Sequence, residues 1–351
     1  MFSLSRALSR VLKRRLPGEI NALAQPLGPE SQPNLNELAR IASSIRIMEL
    51  NIKAFGYDLA RRGQGALPVR SNLAARHVGL ASKASTQADI ESDWCAYWAN
   101  EFKASVIYHR KLWELTYVAQ AVYEHGFLRP GARGLGFGCG EEPFPSYFAA
   151  KGIAVTVTDL DMAAAQAKGW VQTSQHARSL EQAFHAHLVD RESFDRHVQF
   201  RIADMNDIPA DLNGYDFCWS MCAVEHLGSI KQGLDFIEAS LKTIKPGGLS
   251  VHTMEYNCEP DGPTVDNWQT VLFQRRHLEA LADRLRDRGH EVAAFDFDLG
   301  HQPMDRFIDV PPYDGGTGDT AVAALGQPLH MKLAIDGFVA TCFGVIIRKA
   351  A

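Results

Sequence analysis

The chain has 351 residues, 46% hydrophobic and 22% charged, enough apolar side chain to build a sizeable core in one large or two smaller domains. Thirty-six Lys plus Arg against 41 Asp plus Glu leave a net charge of -5, without the basic excess that many phosphate contacts demand, so nucleic-acid binding is excluded as a first reading. The six cysteines, Cys95, Cys139, Cys218, Cys222, Cys258 and Cys342, lie in apolar segments without zinc-ligand spacing and read as reduced and buried, with no metal site expected.

In chain order, Arg6, Arg10, Lys13, Arg14 and Arg15 precede the first acid, Glu19, and Leu4, Leu8, Val11 and Leu12 share a helical face. Residues 1–16 therefore read either as a solvated tail or as a segment making weak contact with an anionic membrane surface. Pro17 to Pro33 reads as a linker. Leu38, Ile41, Ile45, Ile47, Met48 and Ile52 recur at helical spacing and predict a helix from Leu35 to about Leu59, ended by a polar loop around Arg61 to Leu67. Trp94, Tyr97, Trp98 and Phe102 form one stripe on a second helix, read as core packing in preference to substrate stacking. Ile107 to Tyr123 is a third helix, on which His109 and Trp113 either close over a ligand as a lid or pack. Residues 1–130 are thus expected to be a helical extension.

After Gly131 short apolar runs alternate with helical ones, as in a parallel sheet with crossover helices. The predicted strands are Gly134–Phe137, Ala154–Thr158, Val198–Ile202, Phe217–Ser220, Leu249–Met254, Val292–Phe297 and Val339–Ile347. Helices are predicted at Phe144–Lys151, inside Met162–Leu188, and at Gly233–Thr243 and Val271–Arg288; Pro311 to Gly318 reads as a loop. The expected fold is α/β, a Rossmann-like doubly wound sheet of seven strands, over residues 131–351. The longest nearly apolar stretch, Phe338 to Ile347, is about ten residues, short of the roughly 20 that span a bilayer, so the chain is expected to be soluble and cytoplasmic.

The first strand runs into Leu135-Gly136-Phe137-Gly138-Cys139-Gly140-Glu141-Glu142-Pro143, where glycines let a ligand approach the backbone at a helix start. A dinucleotide GxGxxG fingerprint fails in both registers, because Glu141 and Pro143 stand where the last glycine belongs. The second strand ends at Asp159, 19 residues beyond Gly140, where an acid can accept from two ribose hydroxyls. Glu141 and Glu142 would oppose a pyrophosphate but suit a ligand carrying sulfonium and ammonium groups, which describes S-adenosylmethionine. Asp204 and Met205, after the third strand, are placed to accept from an adenine amino group and to pack on its ring. Ser220 ends the fourth strand, and Lys245-Pro246-Gly247-Gly248 turns into the fifth.

In these motifs and their order the chain resembles the class I S-adenosylmethionine-dependent methyltransferases, most closely over about 131–257. The resemblance implies S-adenosylmethionine as cofactor, held by Gly136, Gly138, Gly140, Glu142, Asp159, Asp204, Met205 and Ser220. It departs from the family pattern where Gly136 stands in the usual Asp position and Glu142 in that of the last Gly, so that Glu141 or Glu142 is expected to supply the missing carboxylate. An insertion between Asp159 and Asp204 includes Gly169, Trp170 and His176, which either border the site or pack on it.

A hydroxyl acceptor must lose a proton during transfer. His226, after the fourth strand, and Glu255, on the fifth, are the expected catalytic residues. Strand alternation puts His252 and Met254 on one face and Thr253 and Glu255 on the other. The Trp-Ser-x-x-Ala-x-Glu-His-Leu-Gly and His-Thr-x-Glu-Tyr-Asn segments resemble bacterial methyltransferases associated with cell-surface glycan genes, which implies O-methylation of a sugar, glycan or other small hydroxyl acceptor. N-methylation of an amine or protein side chain, and a binding module without turnover, are the two rival readings.

Overall fold

The computed structural model describes residues 25, 27, 32, 34–160, 180–313 and 319–351. The basic segment 1–16, most of the Pro17–Pro33 linker, Gly169, Trp170, His176, most of the Met162–Leu188 helix region and positions 314–318 of the predicted loop lie outside them. The chain divides into two compact units. One takes in residues up to Asp58 together with Asp309–Pro328; the other comprises Leu59–Ile308 and Leu329–Ala351.

The larger unit holds the sheet. Its first strands are β1 (Ser82–Ala84), β2 (Arg133–Phe137), β3 (Ala154–Asp159), β4 (Val198–Ile202), β5 (Tyr215–Met221) and β6 (Ile244–Asn257). They are followed by β7 (Glu291–Val292), β8 (Phe295–Asp296), β9 (Ile308–Asp309), β10 (Lys332–Ile335) and β11 (Phe338–Arg348). The main path runs β4-β3-β2-β5-β6-β11-β1-β8. Strands β4 to β6 along this path are mutually parallel, and β11 joins β6 antiparallel. The order reverses at β2, which pairs β3 on one side and β5 on the other. That switch point opens a crevice at the carboxyl ends of β2 and β5, where open α/β sheets take ligands.

All seven predicted strand regions form strands, although Val292–Phe297 yields two pieces, β7 and β8. Residues 82–84, 308–309 and 332–335 add strands too short to show a period. The β10–β11 hairpin turns at Asp336-Gly337, both with positive φ (48° and 88°), as a tight two-residue hairpin turn requires.

The helices that position the site are α2 (Asp93–Glu101), α3 (Arg110–Glu124), α4 (Phe144–Ala150), α5 (Arg191–His197), α6 (Ile230–Ser240) and α7 (Arg275–Asp287); α1 (Glu37–Ala66) precedes them. Ser92, Asp190 and Ser229 cap α2, α5 and α6 through side-chain oxygens that accept backbone N–H groups. The aromatic stripe on α2 packs: Trp98 and Phe102 are buried, and Phe102 meets Phe144 edge-on at 5.4 Å. On one sheet face Phe148 packs against Phe217 and Trp219, each at 5.3 Å. On the other, Phe137, Phe236, Ile237 and Met254 share a core cluster.

Two expectations change. Helix α1 does not stop before Arg61 but runs through Ala66, and the missing Cβ of Gly63 makes room for the Tyr108 ring. The region 1–130, expected to be helical, also supplies β1 to the sheet, and the apolar stripe of α1 is exposed from Leu38 to Phe55.

Candidate active site

A cavity of about 270 Å³ opens at the switch point, and its lining includes Gly138, Gly140, Glu142, Asp159, Asp204 and Met205. Each comes from the residues at or just after the carboxyl end of a parallel strand: 138–142 after β2, Asp159 at the end of β3, 203–205 after β4, and 221–223 at and beyond the end of β5. His226 and Leu227 extend this last wall, and Lys111 on α3 lies opposite in the chain order but on the same cavity.

Gly138 and Gly140 have φ of 59° and 53°, a conformation that favours glycine. A Cβ on Gly138 would also lie 2.9 Å from that of Ala223, across the cavity floor. Gly136 is placed differently. It sits inside β2, its carbonyl accepts from Thr158 Oγ1 at 2.9 Å, and a Cβ there would lie 2.3 Å from Cys139 Sγ and 2.5 Å from the Trp219 ring. It is not part of the cavity lining, and its small size serves the close packing of Trp219.

Trp219 Nε1 in turn donates to Glu142 Oε1 at 2.6 Å. The Glu142 carboxyl is buried, and that burial pushes its pKa up to about 8 although the indole N–H opposes the rise. An acid so placed favours a cationic ligand, because a positive charge restores its ionised form. Asp159 Oδ1 accepts from Leu160 N at 2.8 Å, and Asp204 Oδ1 from Asn206 N at 2.9 Å; these turns fix both carboxylates at the strand ends. Glycines, two strand-end acids, a buried acid and the apolar Met205 together fit the ribose, adenine and cationic end of S-adenosylmethionine.

His226 Nδ1 lies 2.9 Å from the Gln269 carbonyl. A carbonyl only accepts, so Nδ1 carries the proton and Nε2 the lone pair; Nε2 is 3.9 Å from Glu225 Oε1. Burial lowers the His226 pKa to about 4, so the imidazole is neutral at pH 7. Glu225 is fully buried, and burial together with the neighbouring Glu255 raises its pKa to about 8.

Ser220 and Glu255 are not among the lining residues. Ser220 Oγ meets His252 Nδ1 at 2.7 Å, and Ser250 and Ser240 hydroxyls meet Nε2 at 2.7 and 3.2 Å. This enclosed imidazole, lowered by burial to about 3, faces α6. The alternating partners Thr253 and Glu255 face α3, as strand alternation requires: Thr253 Oγ1 donates to Glu114 at 3.2 Å, and Glu255 pairs with Arg110.

Sequence reasoning missed the charged cluster behind the cavity. Arg110 pairs with Glu255 and approaches Cys342 Sγ at 3.2 Å and Cys222 Sγ at 3.9 Å; Lys111 Nζ lies 3.1 Å from Glu114. Burial opposes ionisation of Glu114, yet Lys111 and Arg110 hold its carboxyl below the usual range. Donor atoms of Glu114, Cys222 and Cys342, and of Cys222, Glu225 and Glu255, lie within 4.8 Å of one another, and the Arg110 guanidinium touches Cys222, Cys342 and Glu255 among them. The only sequence signal was three charges, Arg110, Lys111 and Glu114, beside the apolar face of α3. His109 and Trp113 serve that helix structurally: His109 caps its first turn and Trp113 Nε1 donates to Asp89 at 2.8 Å.

The model of the methyltransferase domain family matches residues 135–251. No curated protein matches the chain. Similar solved structures include the cyclase SpnF, at 18% identity over 67% of this chain and 81% of that one, with a TM-score of 0.41. Phosphoethanolamine N-methyltransferase 2 of Haemonchus contortus, in complex with S-adenosyl-L-methionine, is similar at 14% identity over 66% of this chain and 52% of its own length, with a TM-score of 0.40. The N-terminal domain of EvdMO1, in the presence of SAH and D-fucose, is similar at 15% identity over 67% and 82%, with a TM-score of 0.37. Residues 135–251, the stretch that matches the methyltransferase domain family, contribute every lining residue of the cavity except Lys111.

Proposed function

We propose that the protein transfers a methyl group to a hydroxyl oxygen of a neutral acceptor, a sugar or glycan, with His226 as the base. When bound, S-adenosylmethionine supplies an electrophilic methyl group. The strand-end acids Asp159 and Asp204 hold its nucleoside portion, with Gly138 and Gly140 giving close backbone approach and Glu142 facing its cationic end. Lys111 supports a part for the helical region 1–130 in completing this cavity.

The observation that carries the choice of acceptor is the charge state of the acids behind the cavity. Glu255 pairs with Arg110 and Glu114 with Lys111, and burial beside Glu255 pushes the Glu225 pKa up, towards its neutral form. They therefore do not form an anionic cage for an ammonium group, which favours a neutral hydroxyl. Neutral His226, with its Nε2 lone pair beside Glu225, is suited to take the hydroxyl proton as the new C–O bond forms.

The test is transfer of labelled methyl from S-adenosylmethionine to panels of neutral sugars and of amines. Label in a base-stable ether on a sugar is the expected result, and label confined to amines would overturn the O-methyl reading. On an accepted sugar, His226→Ala should lower kcat roughly 10²–10⁴-fold while leaving S-adenosylhomocysteine binding intact. An unchanged kcat would remove His226 from the mechanism.

A further inference from the structure

Helix α1 is 30 residues long, and one of its faces is apolar and uncovered. Leu38, Ile41, Ile45, Met48, Ile52 and Phe55 follow one another at steps of 3, 4, 3, 4 and 3 residues, and each is between 40% and 74% exposed. This is the spacing of the a and d positions of a heptad repeat, which aligns a stripe for a left-handed helix pair. The helix already has a packed side. Ala39, Lys53 and Tyr57 are buried, Lys53 Nζ meets Asp309 Oδ1 at 2.9 Å, Tyr57 donates to Asp309 Oδ2 at 2.8 Å, and Arg46 pairs with Asp319. The heptad stripe is therefore a second face, separate from the one that anchors the helix in its own unit.

We infer that this stripe is the seam along which two copies of the chain associate. Three observations favour a second copy. First, an unbroken 3-4 alternation is matched by a helix with the same repeat, and a two-fold pair presents the stripe to itself. Second, in a parallel pair the flanking positions meet as Glu37 with Ala42, Ser44 with Glu49 and Asn51 with Gly56 of the other copy, so no two of the flanking acids face each other. Third, the exposed fractions of the six side chains amount to roughly 600 Å² per copy, above the ~1,000 Å² total that marks a specific interface when both copies are counted. An anionic membrane is the less suited occupant. Alongside the stripe, from Glu37 to Asp58, the helix carries three acids and three bases, and those bases pair as Arg40 with Glu37, Arg46 with Asp319 and Lys53 with Asp309; Arg61 and Arg62 lie beyond the end of the stripe, so its own flanks are not basic.

The experiment is sedimentation equilibrium of the full chain at micromolar concentration, beside two variants. The wild type should weigh twice the chain mass of 38.8 kDa. Ile45→Lys with Ile52→Lys, at exposed seam positions, should sediment as a monomer with unchanged circular dichroism and S-adenosylhomocysteine affinity. Ile47→Lys, at a position 57% exposed but off the stripe, should remain a dimer. A monomeric wild type, a dimer that survives the double substitution, or equal dissociation by Ile47→Lys would each overturn the proposal. So would a wild-type monomer that binds vesicles of anionic lipid through these same isoleucines.

Discussion

Glu142 sits where the methyltransferase loop pattern places a glycine, and burial moves the titration of its carboxyl up towards neutral pH. Its pKa of about 8 lies far above the 4.5 of an ordinary glutamate, because burial disfavours the charge, with Asp159 and Glu114 adding to the rise. Between those two values the folded protein holds a proton that the unfolded chain has lost, so stability falls as pH rises. Glu225 behaves alike. The buried histidines 226 and 252 act with the opposite sign: their contribution is complete above 6.5 and is lost as pH falls towards 4 and 3. From pH 6.5 to 8, therefore, the two glutamates set the slope. The melting temperature of the ligand-free protein should fall across that interval, and Glu142→Gln should make the fall shallower; an identical slope in the variant would exclude Glu142 as its source. Asp159, Asp204 and the loop glycines were legible in the sequence because each follows a short apolar run at a fixed place in the strand-helix alternation. The placement of Gly136, Ser220 and Glu255 was not, since a residue inside or beside a strand faces the cavity or a neighbouring element according to partners distant in the chain. Trp219, His252 and Arg110 are those partners.

At the scale of elements, strands of five residues or more and every helix of nine or more declared themselves by period, whereas β1, β9 and β10 are too short to carry one. Helix α5, seven residues ending directly at β4, went unread for the same reason. For α1 the period gave the helix and its apolar face, but a period reports that a face exists and not what covers it. What holds α1 in its unit is polar. Lys53 and Asp309 are both fully buried, and Tyr57 donates to the same carboxylate. Removing one partner of such a pair strands the other charge out of water, at about 3–5 kcal/mol. Asp309→Ala should therefore destabilise the unit by roughly that amount, read as early exchange of α1 amide hydrogens before the sheet opens. Exchange at the wild-type rate would show that the pair does not anchor the helix.

At the scale of the whole molecule, the α/β sheet explains why residues 138 to 227 converge. Three successive parallel strands and the reversal at β2 bring four strand ends to one crevice, and the loops there carry the side chains proposed to bind the methyl donor. None of the described helices is long and apolar enough to cross a membrane. The central claim is that this crevice holds the methyl donor through Asp159. It is tested most directly by calorimetric titration of S-adenosylhomocysteine into wild type and Asp159→Ala, with circular dichroism to establish that both are folded. The account predicts micromolar binding by the wild type and its loss in the variant. Equal binding by both proteins, or none by the folded wild type, would contradict it.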